Sequence, residues 1–109
     1  MLNQYSDPNE INGLIETENL VVALFSDLGC NVCLSITPDL IAMSETYSRA
    51  KFISADVLAV KQLVGKYLVF VYPTIIVFAQ GKETMRFERV FSLDDLDATI
   101  QRLDTLLHD

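Results

Sequence analysis

The stretch LVVALFSDLGCNVCLSITP, Leu20 to Pro38, decides how this chain is read. Leu20 to Phe25 is continuously apolar and carries two β-branched valines, the pattern of a strand covered on both faces. Such a strand belongs in the middle of a sheet. From Cys33 the apolar positions Ile36, Leu40, Met43 and Tyr47 advance by three or four, drawing one stripe along a helix of about four turns. Cys33 heads that stripe and is expected to face the core. Pro38 falls inside the pattern, where it removes one backbone hydrogen bond. Between strand and helix stand both cysteines of the chain, Cys30 and Cys33.

Outward from this unit the chain alternates between the two periods. Asp7-Pro8 has the form of an N-cap followed by proline at the first helical position, ahead of Ile11, Leu14 and Ile15. Lys51 to Ala55 reads as a second strand ending at Asp56, and Leu58 to Tyr67 as a helix through Val60, Leu63, Val64 and Tyr67. Leu68 to Tyr72 is apolar and stops at Pro73. Thr74 to Ala79, a tight turn at Gln80-Gly81, and Glu83 to Phe91 read as a β-hairpin. Ser92 and Asp95 resemble a capping box before Leu93, Leu96, Ile100, Leu103 and Leu107. The expected order is α, β, α, β, α, β, β, α. Its first two strands are parallel with a right-handed crossover and its last two antiparallel.

At 109 residues the chain is expected to form one domain, 1–109, burying roughly two-thirds of the surface of its unfolded form. Half of its residues are apolar, enough to offset chain entropy without disulfide staples. The net charge of −7 argues against nucleic acid or an anionic membrane as partner, because each requires a cationic surface. The start MLNQYSDPNE has no apolar leader, and no apolar run approaches the roughly 20 residues of a membrane span, so the expected compartment is the cytosol.

In that compartment a close cysteine pair reads as catalytic, redox-active or metal-binding before it reads as a staple. Cys30 stands where the loop ends and the helix begins, and free amide N–H groups with the positive end of the helix dipole favour a thiolate there. Cys33, one turn later, is near enough to resolve a mixed disulfide. A closed zinc site needs four ligands, and the chain offers no third cysteine and one histidine, His108. A metal shared by two chains, and a pair of buried small residues without chemistry, both stay open.

Cys30-Asn31-Val32-Cys33 at a helix start, Pro38 within the helix and Val71-Tyr72-Pro73-Thr74 before a hairpin together resemble the thioredoxin family, from about Leu20 to Leu107. The resemblance implies an α/β thioredoxin fold, a central mixed four-stranded sheet with helices on both faces. It implies a thiol-disulfide oxidoreductase in which Cys30 attacks a protein disulfide and Cys33 resolves the intermediate, with no cofactor and no metal. Partners would be disulfide-containing proteins and an external thiol or disulfide reductase. Pro73 would be cis and shape the site, the Tyr72 backbone would receive an extended substrate, and Leu28, Val32, Tyr72 and Phe91 would make the rim apolar.

Several positions depart from the family. Gly29 stands where the family has tryptophan, and Asn31-Val32 where it has Gly-Pro. Its buried carboxylate aligns with Leu24, and the lysine accompanying that carboxylate aligns with Phe52. Asp27 is the nearby candidate for the missing proton acceptor. Arg89 aligns with a glycine beside the substrate groove, where a guanidinium could favour the Cys30 thiolate or hold a carboxylate of the partner, or it could equally be an exposed strand residue. These losses support a rival reading, a non-catalytic binding module docking partners near Tyr72-Pro73.

Overall fold

A computed structural model describes residues 2–27, 31–89 and 91–108, with the backbone alone at Asn31, Val32 and His108. Strand β1 (Asn3–Tyr5) is followed by α1 (Pro8–Thr17), β2 (Leu20–Ser26), α2 (Asn31–Thr46), β3 (Lys51–Asp56), α3 (Lys61–Lys66), β4 (Thr74–Ala79), β5 (Lys82–Glu88) and α4 (Leu93–His108). The sheet has five strands in the order β1-β3-β2-β4-β5, so the expected four-stranded sheet is extended by one edge strand. β1 pairs parallel with β3 from Asn3 opposite Ile53 to Tyr5 opposite Ala55. Its three residues are too few for an alternating pattern to stand out in the sequence.

β2 is the central strand, parallel to β3 and antiparallel to β4. Its alternate side chains leave on opposite faces. Val21, Ala23 and Phe25 join Ile76 and Phe78 of β4 under Ile11 and Ile15 of α1 and Val60, Leu63 and Val69 around α3. Leu20, Val22 and Leu24 join Ile75 and Val77 beneath Leu40 of α2 and Leu96 and Ile100 of α4. Two helices therefore cover each face. The continuous apolar runs of β2 and β4 reflect that double burial.

Local chemistry sets the element ends. The Asp7 carboxylate accepts the Asn9 N–H at 2.9 Å and Pro8 opens α1. Ser92 Oγ accepts the Asp95 N–H at 3.2 Å, closing one half of the expected capping box. Gln80 (φ 52°) and Gly81 (φ 83°) are both left-handed, as a two-residue hairpin turn between right-twisted strands requires. The hairpin register shifts between Val77 and Phe78, and β5 ends at Glu88 rather than running to Phe91.

The third helix is shorter than its apolar spacing suggests. The Asp56 carboxylate accepts the Leu58 N–H at 3.1 Å and its carbonyl accepts the N–H groups of Ala59 and Val60. A side-chain turn thus takes the residues that would have started the helix. At the other end Leu68 is left-handed (φ 55°) and the Val69 N–H reaches back to the Val64 carbonyl at 2.9 Å, a Schellman-type stop.

Candidate active site

The strand register brings the sequence-selected residues to one end of the sheet. Phe25, next to the last residue of β2, is opposite Thr74, the first of β4, and Thr74 is opposite Glu88, the last of β5. Ser26, Pro73 and Arg89 therefore follow one another across three strand ends. The helix after β2 starts at the same end and places Cys33 in its first turn, 3% exposed. Cys33 faces inward, as the helical stripe requires, and is disulfide-bonded. Thr37 Oγ1 donates to the Cys33 carbonyl at 2.9 Å from the next turn. Leu28 and Cys30 lie outside the described residues, as does the side chain of Val32.

Against Cys33 lies a cavity of about 220 Å3 lined by Leu2, Gln4, Ser26, Asp27, Cys33, Leu34, Thr37 and Ser54. Gln4 of β1 is opposite Ser54 of β3, and Ser54 is opposite Leu24 of β2. Gln4, Ser54 and Ser26 accordingly share the sheet face that α2 covers, giving the cavity a polar floor. Leu2 and Leu34 make the rest of its lining apolar, and it has room for several waters. Among the described lining residues, Asp27, half-buried, is the one carboxylate. Gln4, Ser26, Thr37 and Ser54 were missed as site residues in the sequence. Their only signal was polar residues interrupting strand β3 and ending strand β2 on the same face.

Leu24, at the position of the family's carboxylate, is 2% exposed and packs with Leu40 and Ile75. That ground is apolar. Phe52, at the lysine position, is 1% exposed in the same cluster.

Tyr72-Pro73 is a cis peptide bond, as the resemblance implied. Pro73 is buried and Tyr72 half-buried. Thr74 Oγ1 donates to the Val71 carbonyl at 2.6 Å, closing the turn in front of β4. Among the described residues, no partner takes the backbone N–H or C=O of Tyr72. The loop leading there is tied down from β5. Arg86 donates to the Leu68 carbonyl at 2.9 Å and to the Tyr67 carbonyl, and its guanidinium also meets Glu83 at 2.8 Å. The hydrogen bond to Glu83 holds the guanidinium above its already high ordinary pKa.

Arg89 is exposed, left-handed (φ 55°), and donates its backbone N–H to the Pro73 carbonyl at 2.7 Å. Its side chain makes no hydrogen bond or ion pair with the described residues. Phe91, expected on the rim, is half-buried, meets the Phe87 ring at a tilt with centroids 5.6 Å apart and packs on the α2/α4 cluster. Phe70, three residues before Pro73, is the outward aromatic, 75% exposed.

Among the described residues, no three His, Cys, Asp or Glu side chains gather as a metal ion would require. No helix among them is long and apolar enough to cross a membrane.

Residues 5–102 match the thioredoxin family model. Thioredoxin-1 of Saccharomyces cerevisiae is 31% identical over 86 residues, 79% of this chain and 84% of the yeast protein. Sheep (Ovis aries) thioredoxin is 33% identical over 86 residues, 79% of this chain and 81% of its own length. The structure of Plasmodium falciparum thioredoxin superposes with a TM-score of 0.85 at 24% identity, covering 93% of this chain and 98% of that one.

Proposed function

This chain belongs to the thioredoxin family, a family of thiol-disulfide oxidoreductases, and from that premise we propose that it reduces protein disulfides through Cys30 and Cys33. The observation that carries the reading is the position of Cys33. It is buried at the start of the helix after the central strand and disulfide-bonded, in a sequence with one other cysteine, Cys30.

In the proposed cycle the Cys30 thiolate attacks one sulfur of a substrate disulfide, and the other sulfur leaves as a thiolate that takes up a proton. Cys33 then loses its proton and attacks the Cys30 sulfur of the mixed disulfide. The second substrate thiol departs, and the electron pair that reduced the substrate leaves a Cys30–Cys33 disulfide. An external thiol or disulfide reductase restores the dithiol. No organic cofactor or metal enters these steps. Asp27 takes the Cys33 proton across the shared cavity, supported by the apolar ground at Leu24. Tyr72, with free backbone groups beside Pro73, receives the substrate as an added strand. Leu28, Val32 and Arg89 complete the groove. The expected setting is the cytosol, where thiols are kept reduced.

The test is a redox titration. Wild-type protein equilibrated with graded dithiothreitol or glutathione buffers and thiol-trapped should pass through one reversible two-electron transition by mass. Cys30→Ser should lose insulin-disulfide reduction, and Cys33→Ser should accumulate mixed disulfides. If no intramolecular disulfide forms in any buffer, the dithiol mechanism fails and the protein is a binding module acting through the groove at Tyr72.

A further inference from the structure

Beside Pro73 the residue that stands out physically is Arg89. A non-glycine residue with φ of 55° occupies a sparsely populated region, and persistence there points to a constraint worth explaining. The constraint on this backbone is the hydrogen bond from its N–H to the Pro73 carbonyl, 2.7 Å. The side chain contributes nothing to the fold that would explain it. Arg86 on the same strand is committed to Glu83 and to two carbonyls, and Arg49 is paired with Asp104. The carboxylate next in sequence, Glu88, is felt by Arg86. Arg89 is left exposed, with an uncommitted guanidinium, on a chain whose net charge is −7.

We propose that Arg89 selects substrates, binding a carboxylate side chain that flanks the reactive cysteine of an extended partner segment. This rests on the oxidoreductase reading and names its substrate class. A peptide pairing with the free backbone of Tyr72 runs past Pro73, to which Arg89 is hydrogen-bonded. One strand residue advances about 3.3 Å, so the partner of the guanidinium in this proposal is a side chain one or two residues from the cysteine. Aspartate or glutamate there accepts the two parallel N–H bonds that arginine offers in its planar fork. Lysine at the same place meets a like charge. The overall negative charge of the protein repels an acidic partner at long range, so the preference arises from this close contact and disappears with it.

The probes are ten-residue peptides with one cysteine, identical except for Glu, Gln or Lys two residues after it. S-methylated forms report binding by NMR titration without chemistry, and disulfide forms report turnover. Wild type should bind the Glu peptide at least fivefold more tightly than the Lys peptide. Arg89→Gly, whose new residue suits the left-handed backbone, should bring that ratio to one or below, and Arg89→Lys should leave an intermediate value. A ratio near one in wild type, or one unchanged in Arg89→Gly, overturns the proposal. Turnover without discrimination leaves the oxidoreductase reading standing while Arg89 loses its assignment. Discrimination in binding without turnover does the reverse.

Discussion

At residue scale, Leu24 and Asp27 would give a carboxylate opposite surroundings. A carboxylate at Leu24 would lie among Leu40, Ile75 and Val77, where an unpaired charge costs several kcal/mol. At Asp27 it lines a cavity shared with Cys33, Gln4, Ser26, Thr37 and Ser54, where its ionised form can be solvated. Asp27→Asn is therefore expected to slow release of the substrate thiol from the mixed disulfide by about 100-fold or more at neutral pH, read by stopped-flow and acid quench. The deficit should shrink as pH rises, because the Cys33 thiol then ionises without an acceptor. An equal rate in both proteins across the pH range would remove Asp27 from the mechanism. Arg89 belongs to this scale too. Its left-handed backbone costs roughly 1 kcal/mol relative to an ordinary conformation, so Arg89→Gly should melt no lower than wild type.

At the scale of elements, the end of α2 is fastened to α4 by two polar contacts. Tyr47 donates its hydroxyl to the Asp97 carboxylate at 2.9 Å, and Arg49 pairs with Asp104 at 3.0 Å. Burial of the ring pushes the Tyr47 pKa up to about 12, helped by the hydrogen bond to Asp97 and the charges of Asp97 and Asp104. The folded state thus holds this proton more tightly than the unfolded chain. The associated stability is fully present below pH 10 and is lost between about pH 10 and 12. Urea denaturation of Tyr47→Phe against wild type should show a smaller loss in that window, and identical pH profiles would refute the assignment. Arg86 acts on another element, binding the carbonyls of Tyr67 and Leu68 at the end of α3. Arg86→Ala should loosen the loop that carries Tyr72, seen as faster amide exchange from Leu68 to Tyr72 and unchanged exchange in β2.

At the scale of the molecule, β2 and β4 serve both faces of the sheet. Ile76 belongs to the α1/α3 side and its neighbour Val77 to the α2/α4 side, and neither is exposed. Ile76→Ala should cost about 2–5 kcal/mol. Because one sheet carries both layers, the loss should appear as a single shifted transition monitored by far-UV circular dichroism. Two separate transitions would mean that the layers fold independently.

What the sequence by itself determined are the features set by neighbours in the chain. The double-sided burial of β2 follows from an apolar run without alternation. The inward turn of Cys33 follows from its place on a helical stripe, and the starts of α1 and α4 from capping residues two or three positions away. Pro73 and the cysteine pair were legible as a family pattern. Tertiary structure alone decided the rest, because it depends on residues far apart in sequence meeting across the sheet. β1 is a strand because β3 offers it an edge, and the Asp56 turn shortens α3 after β3 has placed it. The cavity beside Cys33 needs Gln4, Ser54 and Ser26 from three strands in register. Arg89 is brought beside Pro73, sixteen residues earlier, by one backbone hydrogen bond, because the β4–β5 pairing sets their strand ends next to each other.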